Sequence, residues 1–202
     1  MSPRRAAALR DGQDRSLREH LIATAERMIS EGGTAGLTVR GIAREAGVAD
    51  GVLYNHFSDK EELLAHAMRA HVRSVERGLG PLPDPGTGEV AANLRAHIAH
   101  GLALHRGILP AMAGLIGRPE VLARFAEANE PGEDWRDRLV GYLRAERALG
   151  RLAPDARVEA AAAMIVGVCH EAVLSLLFHG TAPEPDVDAL AAAVLDGIGL
   201  RS

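Results

Sequence analysis

The sequence predicts an all-α protein, and three observations carry that prediction. Apolar residues recur at three- and four-residue spacing through every long segment. Glycine and proline clusters bound those segments. No segment alternates apolar and polar residues with the two-residue period of a half-buried strand. The expected architecture is an N-terminal three-helix head closed by a helix-turn-helix, followed by a helical C-terminal domain. A mobile tail is expected over 1–14, the head over 15–60 and the second domain over 61–202.

Arg4, Arg5, Arg10 and Gly12 sit among small residues at the start, the composition of an untethered terminus. A basic arm laid in a minor groove is the functional alternative. From 16 to 31, Leu17, Leu21, Ile22, Ala25, Met28 and Ile29 form one stripe, and Gly32-Gly33 ends it. Thr38 precedes a helix over 39–46 and is placed to cap it, with Leu37 able to staple its start. Gly47 stands where that helix must stop, because glycine takes the left-handed conformation without steric cost. Val48, Leu53 and Phe57 give a third helix, over 50–55, its inward face. Ala43, Gly47 and Leu53 thus supply the small crossing residue, the turn and the large anchor of a helix-turn-helix.

Ser58-Asp59-Lys60-Glu61 reads as a capping box opening a fourth helix over 59–79. Its stripe is Leu64, Met68, Val72, Val75 and Leu79, and the proline-rich run from Pro81 to Gly86 terminates it. Six further helices are expected, over 89–105, 108–116, 119–128, 133–149, 155–179 and 186–200. The breaks between them fall at Gly107/Pro110, Gly117-Arg118-Pro119, Pro131-Gly132, Gly150 and Pro183-Glu184-Pro185.

Ala46-Gly47-Val48, Gly51, Leu53-Tyr54, His56-Phe57 and Lys60-Glu61-Glu62-Leu63-Leu64 resemble the DNA-binding region of TetR-type transcriptional repressors. The resemblance covers residues 17–66. It implies a homodimeric, cytoplasmic repressor that reads double-stranded operator DNA and is released by a small-molecule effector. It also implies that Tyr54, His56 and Lys60, the chain's only lysine, hold the DNA backbone. The residues themselves offer a consistent set. Arg40 and Arg44, one turn apart, and the amides behind Thr38 suit phosphates. Gly51 permits close approach, Val52 suits a thymine methyl, and Tyr54, Asn55 and His56 offer polar groups to phosphate or base edges. Two positions depart from the family pattern. Ala49 stands where a capping serine or threonine is usual, and Asp50 where a basic or neutral residue is usual. Asp50 is expected to take over the cap one position later, at a helix start that favours a carboxylate, and at DNA it would repel phosphate unless it accepts from a cytosine amino group.

The helix over 155–179 is apolar nearly all round, so one face suits a core and another a partner. Ala162, Val166, Val173, Leu174 and Leu177, with Leu190, Val194, Leu195 and Ile198 on the last helix, are the candidate dimer face of a four-helix bundle. The resemblance further implies a small-molecule cavity. Its candidate lining is Met68, His100, Leu104, Met112, Phe125, Trp135, Tyr142, His170 and Glu171. His170 and Glu171 are polar groups within an apolar helix, and either a ligand or a subunit interface would satisfy them.

Charge and composition limit the other classes. Residues 1–60 carry nine Lys or Arg against eight Asp or Glu, and the remainder fourteen against nineteen. DNA affinity must therefore come from placed contacts rather than a general field. The single cysteine, Cys169, excludes an internal disulfide. The apolar run 160–169 is shorter than a bilayer requires, and no membrane partner is expected. Adjacent Cys169, His170 and Glu171 point about 100° apart on a helix and form no catalytic dyad. No enzyme activity and no cofactor are expected. His97 and His100 lack the rest of a zinc motif and are expected to be solvated.

Overall fold

The computed structural model describes the backbone of residues 3–127, 134–181 and 184–198. Side chains are described within those segments from residue 15 onward, apart from 177 and 198. Among the described residues the protein is all-helical. The helices are α1 (Pro3–Gly32), α2 (Val39–Ala46), α3 (Asp50–His56), α4 (Lys60–Leu79), α5 (Val90–Ala113), α6 (Pro119–Glu127), α7 (Trp135–Ala148), α8 (Val158–His179) and α9 (Val187–Ile198).

Two expectations about these elements are corrected. Helix α1 begins at Pro3, not after a tail over 1–14. Arg4 to Leu9 are strong helix formers preceded by a proline, which suits a helix start, and Gly12 alone costs too little to interrupt them. The break expected at Gly107/Pro110 is also absent, since α5 runs unbroken with Pro110 inside its last turn. Pro110 has no amide to donate to the Arg106 carbonyl one turn earlier, so α5 loses one hydrogen bond there without ending.

The chain divides into two compact units rather than at residue 60. The first joins 1–75 to 110–128, and the second joins 76–109 to 129–202, so α4 and α5 each contribute to both. In the first unit α1, α2 and α3 pack on one another. Leu21, Ala25 and Ile29 of α1 are buried with Ile42 and Ala43 of α2, Leu53 of α3, Phe57, and Leu64 and Met68 of α4. The Thr34 hydroxyl donates to the Ala111 carbonyl at 2.5 Å. A Cβ on Gly114 would lie 2.4 Å from that Thr34 oxygen, so only glycine fits there. The sequence alone gave no reason to put the end of α5 and α6 in the same unit as the head.

In the second unit α8 packs between α7 and α9. Ala161, Ala162, Ile165, Cys169, Ala172 and Val173 form its buried face. By length and composition alone, Val158–Leu176 is apolar enough to cross a membrane, a longer stretch than the run 160–169 read from the sequence. His170 and Glu171 interrupt that run without ending the apolar helix.

Candidate functional site

The helix-turn-helix is held by local hydrogen bonds that the sequence dictates. Thr38 Oγ1 accepts from the Gly41 amide at 3.0 Å, capping α2. Gly47 closes α2 at φ 71°, its amide donating to Arg44 O at 3.2 Å while the Val48 amide donates to Ala43 O at 2.9 Å. This paired closure is the Schellman arrangement, which needs a left-handed residue at that position. Ala49 offers α3 no side-chain cap, and Asp50 does not supply one in its place. The Asp50 carboxylate instead reaches back to Arg40 Nε on α2 at 3.3 Å. The fourth helix is capped one position later than expected. Asp59 Oδ1 accepts from the Glu62 amide at 2.9 Å, and Glu62 Oε2 accepts from the Ser58 amide at 2.7 Å.

That frame sorts α3 into two faces. Leu53, with Phe57 just beyond the helix, is buried. Gly51, Tyr54 and Asn55 are exposed, Tyr54 at 62%, while Val52, His56 and the nearby Lys60 are half-buried. Arg40 and Arg44 are exposed on α2. Thr38 is exposed as well, its side chain committed to the cap. The ten residues expected at DNA therefore lie on α2, α3 and their flanks in one unit.

Arg18 of α1 was not singled out in the sequence, yet it holds the exit of α3. Its Nε donates to the His56 carbonyl at 3.4 Å, and its Nη2 lies 3.0 Å from Glu62 Oε1 and 2.9 Å from His66 Nε2. The guanidinium also covers the Phe57 ring, 4.7 Å from its centroid. Burial, then the neighbouring Arg18 charge, lowers the His66 pKa. Burial works against the Glu62 carboxylate, but hydrogen bonds from Ser58 and Arg18 outweigh it and hold its pKa below the usual range. Arg124 of α6 reaches the same elbow, donating to Ser58 Oγ at 3.2 Å and to Asp59 Oδ2 at 2.5 Å. Long-range polar contacts of this kind carry no periodicity that a sequence could reveal.

The residues expected to line a cavity divide between the units. Met68, fully buried, belongs to the first with the half-buried Met112 and Phe125. His100, Leu104, Trp135, Tyr142, His170 and Glu171 belong to the second. There, α5 turns His97, His100, Gly101 and His105 toward α7. The His97 and Tyr142 rings lie 4.4 Å apart, and His105 meets Trp135 edge-on at 5.4 Å and His170 at 4.8 Å. The expectation that His97 and His100 are solvated is corrected: His97 is 2% exposed and His100 half-buried. Burial lowers the His97 pKa to about 4, helped by His100 and Arg138, and lowers those of His100 and His105 too. Burial likewise pushes the Tyr142 phenol up to about 12. Glu146, fully buried on the same helix, meets Arg151 Nε at 3.1 Å and the Gly86 amide at 3.1 Å. His170 and Glu171 are exposed in the chain, Glu171 accepting from Ser175 Oγ at 2.7 Å.

The candidate dimer face needs redrawing. Ala162, Val173 and Val194 are buried in the chain's own core. Val166, Leu190 and Leu195 are half-buried, Leu174 is exposed, and Leu177 and Ile198 fall outside the described side chains. Among the described residues, the large exposed apolar groups of α8 are Met164, Leu174, Leu176 and Phe178, of which only Leu174 was expected at a partner. A groove lined by Val168, Glu171, Ala189, Leu190 and Ala193 also lies between α8 and α9. Apolar periodicity marks a helix as amphipathic but does not say which stripe meets its own chain.

A family described as bacterial regulatory proteins, tetR family, matches residues 21–67. The HTH-type transcriptional repressor KstR2 of Mycobacterium tuberculosis is 43% identical over 58 residues, 29% of each chain. The HTH-type transcriptional regulator BetI of Stenotrophomonas maltophilia is 32% identical over 121 residues, 56% of this chain and 61% of BetI. The chain thus spans less than two thirds of the length of these curated relatives. Among solved structures, the transcriptional regulator FadR of Bacillus subtilis in complex with stearoyl-CoA aligns with a TM-score of 0.57 and 23% identity. It covers 89% of this chain and 96% of that one, a likeness of fold.

Proposed function

We propose, from the premise that residues 21–67 of this chain belong to the tetR family of bacterial regulatory proteins, that it is a homodimeric transcriptional repressor. It reads double-stranded operator DNA in the cytoplasm and is released by a small-molecule effector. It acts as a regulator, not as a catalyst. The observation that carries the reading is the two-faced α3: Leu53 is buried while Gly51, Tyr54 and Asn55 are exposed on the opposite side. A short helix presented this way suits a major groove, with Gly51, Val52 and Asn55 toward base edges. Tyr54, His56, Lys60, Arg44 and the amides after Thr38 suit the flanking phosphates.

One recognition helix contacts few base pairs, so the function calls for two copies. The exposed apolar side chains of α8 and the α8–α9 groove support self-association through a four-helix bundle. An effector held by the second unit must couple reciprocally to DNA affinity, and α4, which contributes to both units, is the proposed lever.

Tyr54→Ala and Lys60→Ala test the reading by fluorescence anisotropy on operator fragments selected from genomic DNA. Each is expected to weaken binding about tenfold, the order of one well-placed polar contact. Lys60→Ala should also reduce the slope of log affinity against log salt by about 0.9. Thermal stability should hold for Tyr54→Ala, because that side chain is largely exposed. Unchanged binding in both variants favours a rival, a helical ligand-binding protein whose helix-turn-helix has lost DNA. The intramolecular Arg40–Asp50 pair is the observation behind that rival.

The same pair yields a prediction of opposite sign. Both side chains are mostly exposed, so the ion pair contributes at most about 1 kcal/mol to stability. Asp50→Asn frees Arg40 for phosphate, and DNA binding is expected to tighten roughly three- to tenfold with a steeper salt slope. Unchanged affinity and slope would remove both residues from the interface.

A further inference from the structure

The buried polar groups on α5 and α7 are an unusual set. Neither ring nitrogen of His97 has a hydrogen-bond partner among the described residues, although the residue is 2% exposed. Nε2 of His100 and Nε1 of Trp135 are buried and unpartnered too, with Trp135 itself 3% exposed. Buried polar atoms are normally paired, and several orphans on adjoining side chains point to a partner that is not part of the chain. Their contacts also limit that partner's chemistry. Among the described residues, the charged groups that shift His97 and His100 are Arg138 and Glu76, which pair with each other at 2.5 Å. His97 is held neutral by its burial, so it offers one donor and one acceptor. The Trp135 indole offers a donor only. An anion or a cation would enter a buried site with no free counter-charge, whereas a neutral hydroxyl would meet both a donor and an acceptor.

Shape adds a second restriction. The surroundings are flat rings: Tyr142 against His97, and His105 against Trp135. Trp135 lies directly on the α5 backbone, where a Cβ on Gly101 would come within 2.3 Å of two indole carbons. On the α5 side the indole therefore leaves no room for any side chain at residue 101. We propose that this array is the effector site and that it takes an uncharged aromatic hydroxyl compound of the phenol class, which displaces the Trp135 indole from Gly101 and hydrogen-bonds to His97 and His100. The proposal rests on the effector reading above and narrows it to one ligand class.

Trp135 is the chain's only tryptophan, so its emission reports on the site without a label. The full-length protein is titrated near neutral pH with phenol, cyclohexanol, benzoate and benzylammonium. Phenol is expected to change the Trp135 emission saturably, and the other three at least tenfold more weakly. His97→Phe keeps a ring and removes both nitrogens, and should weaken phenol at least tenfold while leaving DNA retention intact. If circular dichroism finds that variant unfolded, His100→Phe is held to the same criterion. Benzoate, benzylammonium or cyclohexanol binding as tightly as phenol overturns the proposal. So does phenol saturation that survives the substitution, or the absence of saturation by phenol. DNA binding is measured separately by anisotropy. Its loss with the phenol response intact counts against the repressor reading alone, and its retention without a phenol response counts against this site alone.

Discussion

Replacing Arg18 by alanine is expected to lower DNA affinity by about a hundredfold and stability by about 2–3 kcal/mol, although Arg18 need not touch DNA. Its guanidinium is one-third exposed and meets the His56 carbonyl, the Glu62 carboxylate, His66 and the Phe57 ring. A hydrogen bond involving a charged group contributes about 1.5–3 kcal/mol when well shielded, and a cation over an aromatic ring about 0.5–1 kcal/mol. Partial exposure keeps the total toward the lower end of the combined range. The affinity loss follows from geometry. His56 ends α3 and Glu62 closes the cap of α4, so without Arg18 the recognition helix loses the tie fixing its exit. Small misplacements of a positioned group are costly in a site assembled from few contacts. Urea unfolding measures the stability term, and anisotropy on operator DNA measures the other. Arg18→Lys separates the roles, because lysine keeps the charge but cannot reproduce the fork across His56 and Glu62. Wild-type affinity in Arg18→Ala would show that α3 is held by its apolar face alone.

Acidification is expected to destabilise the second unit well before its carboxylates are protonated. His97 has an unfolded pKa near 6.5 and a folded value of about 4, so between those limits the unfolded chain binds the proton that the folded chain refuses. The stability is therefore fully present above pH 6.5 and is lost as pH falls toward 4. A shift of about 2.5 units corresponds to about 3 kcal/mol. Lowered values for His100 and His105 act in the same direction within that unit, as does the lowered value for His66 in the first. Glu45, Glu62 and Glu159 are held below the usual carboxylate range, and their losses begin only near pH 4.5. Urea midpoints between pH 7.5 and 4.5 read the histidine window, and His97→Phe should flatten the profile there. A profile equally steep in that variant would mean that His97 does not set the acid limit.

Much of the head could be read from sequence because its determinants are local. Thr38 and Gly47 act within a few residues of their own positions, and the apolar spacing of Ile42, Leu53 and Phe57 fixes the inward faces. The caps were less legible. A capping box fits Ser58–Glu61 and Asp59–Glu62 almost equally well, and only backbone conformation selects the second. At Asp50 the expected local cap lost to a carboxylate contact with Arg40 ten positions earlier.

The sequence by itself determined the helical class, the turn at Gly47 and the outward face of α3, because each depends on periodicity or on conformational preference at one residue. Only tertiary structure decided that Arg18 and Arg124 hold the recognition elbow, and that His97 is buried rather than solvated. It also decided that Met164 and Phe178, rather than Ala162 and Val173, form the outer face of α8. Those outcomes depend on which stripe of one helix meets which stripe of another, and burial there is a property of the pair that neither segment carries alone.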